Sequence, residues 1–146
     1  MAEPIFNRLC LVGIGLIGSS IARVARKRGD IARTVVATAR RPETLARVRE
    51  LGIVDVVEDD AAKAVAGCDC VVLCVPVGAY AEVMARIAPH LSPGCVLTDA
   101  GSTKGSVVRD LFPLLPAGVH LVPAHPMAGT EHSGPDAGFA ELFEGR

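Results

Sequence analysis

"RLCLVGIGLIGSS", residues 8 to 20, decides how this chain must fold. The apolar run from Arg8 to Ile14 reads as a short buried strand. It passes without a linker into Leu16–Arg28, where Ile17, Ile21, Val24 and Ala25 recur at helical spacing. Gly13, Gly15 and Gly18 occupy the junction, and Gly29-Asp30 stops the helix. A strand that turns through glycines directly into a helix is the first half of a strand-helix-strand unit.

The same alternation continues along the chain. "TVVATA" (34 to 39) is a second strand, and residues 42 to 51 are a second helix with Pro42 in its first turn. A short strand is expected at 54 to 57 and a short helix at 60 to 66. "CVVLCVP" (70 to 76) reads as a strongly buried strand, and 79 to 87 as a helix closed by Pro89. "CVLTDA" (95 to 100), a helix over 104 to 111 and "HLVPA" (120 to 124) complete the pattern. The strands are near-continuous apolar runs rather than alternating ones, as strands buried on both faces require. The expected fold is therefore α/β, a doubly wound, mostly parallel, Rossmann-type sheet with helices on both faces. Residues 1 to 146 form one dinucleotide-binding domain in this reading.

Composition agrees. Of 146 residues, 50% are apolar, with one Tyr, four Phe and no Trp, which is an aliphatic core suited to parallel strands. The formal net charge of −1 argues against nucleic acid or an anionic membrane surface as partner. The uncharged stretch 9 to 22 has no basic flank of the kind that precedes a signal-peptide core. No apolar run reaches the roughly 20 residues of a membrane span. Five cysteines, Cys10, Cys68, Cys70, Cys74 and Cys95, lie in or beside apolar runs, and no second Cys/His pair completes a zinc site. Reduced thiols and a cytoplasmic location are expected.

The three glycines have the G-x-G-x-x-G spacing, which gains meaning from its place between strand and helix. Gly13 makes the tight turn, Gly15 lets backbone approach a pyrophosphate, and Gly18 allows close helix–strand packing. The helix start, with Leu16 and Ile17, offers unpaired N–H groups to phosphate. The plainer alternative is a glycine turn with no ligand. At the end of the second strand an NAD-binding protein usually carries an acid, about 20 residues beyond the glycines. This chain has Ala39 there, flanked by Thr38 and by Arg40 and Arg41. Two guanidiniums with no carboxylate suit a 2′-phosphate, so the expected cofactor is NADP, with NAD as the alternative. The competing view leaves both arginines as solvated charges at a helix start. Val75 and Pro76, ending the strand at 70 to 76, join the expected cofactor-binding set.

Two further strand ends are polar. "GSTKG" (101 to 105) follows the fifth strand and "HPMAGTEHSG" (125 to 134) the last one. In a parallel sheet both emerge on the face of the glycine loop, so Ser102 and His125 are brought toward a nicotinamide. A neutral His125 there accepts a proton from a substrate hydroxyl, and Ser102 bonds the same hydroxyl or orients the imidazole. A backbone-bonded histidine and a helix-capping serine are the structural alternatives.

In this order, "GIGLIGSS", "CVPV", "DAGSTKG" and "HPMAGTEHSG" make the chain resemble the prephenate/arogenate dehydrogenase family of tyrosine biosynthesis, from about Leu9 to Arg146. The resemblance implies oxidative decarboxylation of prephenate or arogenate with hydride transfer to NAD(P)⁺. It gives His125 the substrate hydroxyl, Ser102 the support of that contact, and Glu131 a place at the pocket entrance. It also implies a homodimer formed through a C-terminal helical domain that this chain does not contain. The chain is thus expected to be the cofactor-binding and catalytic-histidine half, and poorly active alone. Two rivals stand beside it: an NADP-linked dehydrogenase of the 3-hydroxyacid type, and an NADP-binding module without catalysis.

Overall fold

The computed structural model describes residues 3–101, 104–124 and 133–144. Six parallel strands form one sheet: β1 (Phe6–Val12), β2 (Ala32–Thr38), β3 (Val56–Glu58), β4 (Cys70–Leu73), β5 (Val96–Asp99) and β6 (His120–Val122). Their order is β3-β2-β1-β4-β5-β6. The helices between them are α1 (Leu16–Arg28), α2 (Pro42–Leu51), α3 (Ala61–Val65), α4 (Tyr80–Ile87) and α5 (Lys104–Leu111). The expected Rossmann-type sheet is the one observed, with its order reversing between β1 and β4.

β1 shows why helices cover both faces. Its last four residues are all buried, and alternate ones join opposite cores. Leu9 and Leu11 pack with Val35, Ala37 and Val72 beneath α1 and α2. Cys10 and Val12 pack with Val36, Val71, Leu73 and Leu97 beneath Tyr80, Met84 and Ile87 of α4 and Val107 and Leu111 of α5. A strand with apolar side chains on both sides is stable only between two helical layers.

The helix limits follow from local chemistry. α1 ends at Gly29, whose φ of 75° is the left-handed conformation of a C-terminal cap. Its last turn carries Arg26, Lys27 and Arg28, opposite in sign to the helix's negative end. α2 opens on Pro42 and closes at Gly52. Both helices have the limits expected from sequence.

The strands shift. β1 and β2 begin two residues earlier than expected, because backbone pairing continues to the solvated rim regardless of side chain: Phe6 pairs with Ala32, and Phe6 N–H donates to Ile31 O at 2.9 Å. At the other end, the apolar run 70–76 outlasts its strand. Cys74 N–H still donates to Val12 O at 2.7 Å, and the chain then turns at Pro76, which has no N–H to offer. β6 stops at Val122 on the sheet edge, where Val122 is half exposed.

Residues 133–144 were not expected to carry regular structure. They form two 3₁₀ turns, Pro135–Ala137 and Ala140–Phe143, laid across α1 and the side of α2. Arg23 Nη1 donates to Pro135 O at 2.9 Å, and Phe139 N–H donates to Ser20 Oγ at 3.0 Å. Arg47 grips both oxygens of Asp136, which holds that carboxyl below its ordinary range, and Leu142 is buried. The surface ion pairs contribute little, so the backbone contacts and Leu142 fix the segment.

All five cysteines are free thiols. Burial pushes Cys70 and Cys74 up to about 12, and Cys95 up to about 11.

Two outcomes are expected. A Cβ on Gly138 would overlap Ser19 Oγ and lie 2.7 Å from Arg23 Nη1, so Gly138→Ala should lower stability by about 1–3 kcal/mol in urea unfolding. An unchanged midpoint would mean that the 133–144 segment is not docked. Native-state alkylation at pH 8, mapped by mass spectrometry, should leave Cys70, Cys74 and Cys95 nearly unmodified. At such pKa values only roughly one thiol in a thousand or fewer is thiolate.

Candidate active site

Parallel pairing sends every strand's carboxyl end to one side, and there the β1–α1 turn meets the end of β4. Gly13 has a φ of 97°, and a Cβ on it would stand 2.8 Å from the carbonyl carbon of Cys74 and 3.0 Å from Val75 Cγ1. A Cβ on Gly18 would overlap the carbonyl oxygen of Gly13. Gly15 differs: nothing lies within 4 Å of where its Cβ would be, so this stretch of backbone faces open space at the start of α1. Gly13 and Gly18 are thus glycines for packing, and Gly15 leaves room for a group to approach.

Leu16 and Ile17 form the first turn of α1, a 13-residue helix with no side-chain cap at its N-terminus. Leu16 O is taken up by Ser20 Oγ at 2.6 Å, while the first N–H groups of the helix face outward with no intrahelical partner. Such an end is suited to an anion.

Beside this turn lies a cavity of about 300 Å³. Gly13, Thr38, Arg40, Val75 and Pro76 of the expected set line it; Gly15, Leu16, Ile17, Gly18 and Arg41 do not. The two arginines separate because Arg41 is the extended residue preceding α2, whereas Arg40 is still at the lip of β2. Thr38 is buried, and its carbonyl accepts from Gly13 N–H at 2.9 Å, which ties β2's end to the glycine turn.

The far wall was not anticipated. It consists of Asp59 and Ala61 after β3, Ala79 just before α4, and Glu82, Val83 and Arg86 along α4. Asp59 had a legible signal in its place just past a strand. Glu82 and Arg86 had none, since charged residues on a short helix read as its solvated face. The cavity thereby holds two guanidiniums and two carboxylates rather than arginines alone.

On the other half of the sheet, Asp99 is 2% exposed at the end of β5. Its Oδ2 accepts from Tyr80 Oη at 3.1 Å and from Gly101 N–H at 2.9 Å, and its Oδ1 accepts from Ala124 N–H at 3.1 Å. Burial, then the nearby Asp99 charge, raises the Tyr80 phenol well above its ordinary range, so it remains a donor. Ser102, His125 and Glu131, expected to act on substrate, lie outside the described residues. Their neighbours Gly101 and Ala124 mark where the chain enters them. Among the described residues no cluster of three or more His, Cys, Asp or Glu is placed to hold a metal ion, and no helix is long and apolar enough to cross a membrane.

The residues present fit a dinucleotide: an open backbone turn at a helix start for a pyrophosphate, and a cavity with a free lip at β2 for an adenosine. Comparison with known proteins agrees. The chain is 44% identical over 141 residues to a cyclohexadienyl dehydrogenase of Zymomonas mobilis, covering 96% of this chain and 47% of that protein. It is 35% identical over 141 residues to a prephenate dehydrogenase of Lactococcus lactis, covering 94% and 39%. The crystal structure of prephenate dehydrogenase from A. aeolicus in complex with hydroxyphenyl propionate and NAD⁺ superposes with a TM-score of 0.84 at 32% identity, covering 95% of this chain and 48% of that one. The chain thus spans about half or less of the length of these relatives. Residues 21–146 match the family described as prephenate dehydrogenase, nucleotide-binding domain. With the sheet order and the glycine turn in place, this match makes the chain a member of the prephenate dehydrogenase family.

Proposed function

We propose that this chain is the cofactor-binding and proton-accepting half of an enzyme that oxidatively decarboxylates prephenate or arogenate, with NADP⁺ as hydride acceptor. The observation that carries the reading is the cavity at the carboxyl ends of β1, β2 and β4, where Arg40 stands at the lip and Ala39 occupies the place of the usual acid. Membership of the family supplies the reaction class.

When bound, the nicotinamide supplies the hydride-accepting carbon. The remaining work belongs to the protein. The N-terminus of α1, opened by Gly15, holds the pyrophosphate against its N–H groups. Arg40 pairs with the 2′-phosphate, and Thr38 stands beside it. Val75 and Pro76 supply an apolar wall along the dinucleotide. At the β4–β6 half, His125 accepts the proton of the substrate's ring hydroxyl as hydride leaves the same carbon. Ser102 supports that hydrogen bond and Glu131 tunes the pocket entrance. The bond from ring to carboxylate then breaks, its electrons complete the aromatic ring, and CO₂ departs. Groups from a second, helical half bind the substrate's carboxylates and form a homodimer.

Asp59 favours a second reading. Its carboxylate lines the same cavity, and a carboxylate there can accept from the ribose hydroxyls of NAD.

Calorimetric titration of the chain separates the two. NADP⁺ should bind more tightly than NAD⁺, and Arg40→Ala should weaken NADP⁺ by about 10- to 100-fold, the loss of one charge-assisted contact. Arg41→Ala should change it by less than about threefold, because Arg41 lies outside the cavity. Equal binding of both dinucleotides, unaffected by Arg40→Ala, would overturn the NADP assignment, and tighter NAD⁺ binding lost in Asp59→Ala would establish the NAD reading. A folded chain binding neither would overturn the reading itself.

A further inference from the structure

The Rossmann-type sheet has two halves. The cavity lies at the ends of β1, β2 and β3, closed by α4 and by Val75 and Pro76 beyond β4, and the remaining strands, β5 and β6, end in the loops expected to meet the nicotinamide and the substrate. Something must set the distance between those loops. The backbone ladder cannot do so beyond Thr98 and Val122, the last paired residues of β5 and β6. Past that pair the chain enters 101–105 on one strand and 123 onward on the other.

Asp99 bridges the gap. Its two oxygens take backbone donors from two different strand ends. Oδ2 takes Gly101 N–H at 2.9 Å, and Oδ1 takes Ala124 N–H at 3.1 Å. The two donors are the residues immediately before 102 and 125. Tyr80, wholly buried at the start of α4, donates its phenol to Oδ2 at 3.1 Å and so fixes the carboxylate from below. Thr98 adds a parallel stitch, Oγ1 to Val122 O at 2.6 Å. The site leaves no slack. A Cβ on Gly101 would stand 2.7 Å from both Tyr80 Oη and Val77 Cγ2, and 3.0 Å from Asp99 Oδ2. An acid buried in an apolar strand costs stability unless its oxygens are satisfied, and here each oxygen is spent on a different loop.

We propose that Asp99 is a positioning residue: held by Tyr80, its carboxylate ties Gly101 to Ala124 and sets the separation at which the chain enters residues 102 and 125. The inference rests on the functional reading above for its purpose, since Ser102 and His125 act on one hydroxyl only when their loops keep a fixed spacing. The tie itself rests on geometry alone.

An amide cannot replace it. Asn has one acceptor oxygen and one NH₂, so in either orientation Asp99→Asn loses one of the two backbone donors, Ala124 N–H or Gly101 N–H, while the Tyr80 hydroxyl can accept from the NH₂ and donate to Leu73 O instead. The test compares the wild-type chain with Asp99→Asn and the milder Tyr80→Phe, which keeps both amide contacts. Two readouts are needed. In amide hydrogen exchange, Asp99→Asn should speed Gly101 or Ala124 by about tenfold or more, while Leu11 and Val36 in the sheet centre stay within about twofold. Tyr80→Phe should give the same pattern with a smaller change. In ligand binding, Asp99→Asn should weaken NADPH and reduce the nicotinamide's fluorescence change on binding. Adenosine 2′,5′-bisphosphate, which occupies only the first half, should bind within about twofold of wild type.

Uniformly faster exchange with equal loss for both ligands would assign Asp99 a general structural role and overturn the proposal. Unchanged exchange at both Gly101 and Ala124 in a folded Asp99→Asn chain would overturn it directly. A wild-type chain that binds neither ligand defeats the functional reading, and the exchange comparison still decides whether the carboxylate joins the two strand ends.

Discussion

The structure depends on one close contact of backbone with backbone, where the β1–α1 turn lies against the end of β4. Gly13 sits on the Cys74 carbonyl with no room for a Cβ, and Gly18 sits on the Gly13 carbonyl. This lets α1 start directly above the sheet, at the point where the strand order reverses. The first N–H groups of α1 then face the same side as every other strand end. The sheet's geometry thereby places a helix start suited to an anion, a cavity rimmed by Arg40, and the points where the chain leaves β5 and β6 at Gly101 and Ala124 on a single face. Parallel pairing is what collects them, because it gives all six strands one direction.

The two halves of that face are built differently. Around β1 to β3 the cavity has charged walls of both signs, from Arg40, Asp59, Glu82 and Arg86, on elements far apart in sequence. Around β5 and β6 the construction is a single buried carboxylate with a donor from each loop and a phenol beneath it. The first arrangement is open and suits recognition of a ligand's polar periphery. The second is closed, with each carboxylate oxygen held by a backbone donor from a different strand end.

Much of the fold was legible because its punctuation is chemical. Gly29 and Gly52 cap helices in the left-handed conformation and Pro42 starts one, so α1 and α2 have the limits read from sequence. Strand ends were less legible. Apolar residues continue past the last ladder bond in 70–76, where they line a cavity wall instead of extending the sheet, and polar residues pair at the rim before Leu9. The glycine turn and Arg40 could be read from spacing, whereas Glu82 and Arg86 could not, since only tertiary packing turns that face of α4 toward the cavity. Residues 133–144 escaped notice because short 3₁₀ turns carry no periodicity and are held by contacts to α1 and α2 more than 80 positions away. Asp99 was visible as an acid inside an apolar strand, but its partners are defined only when β5, β6 and α4 are brought together.

The central claim is that a dinucleotide lies across the carboxyl face, with its pyrophosphate at the glycine turn and its adenosine toward Arg40. Amide chemical-shift mapping of the chain with NADP⁺ tests it most directly. The account predicts that the largest changes fall on Gly13 to Gly18, Thr38 to Arg40 and Cys74 to Val75. Changes confined to the opposite rim of the sheet, around Arg26, Arg33 and Asp55 where a second cavity lies, would contradict it.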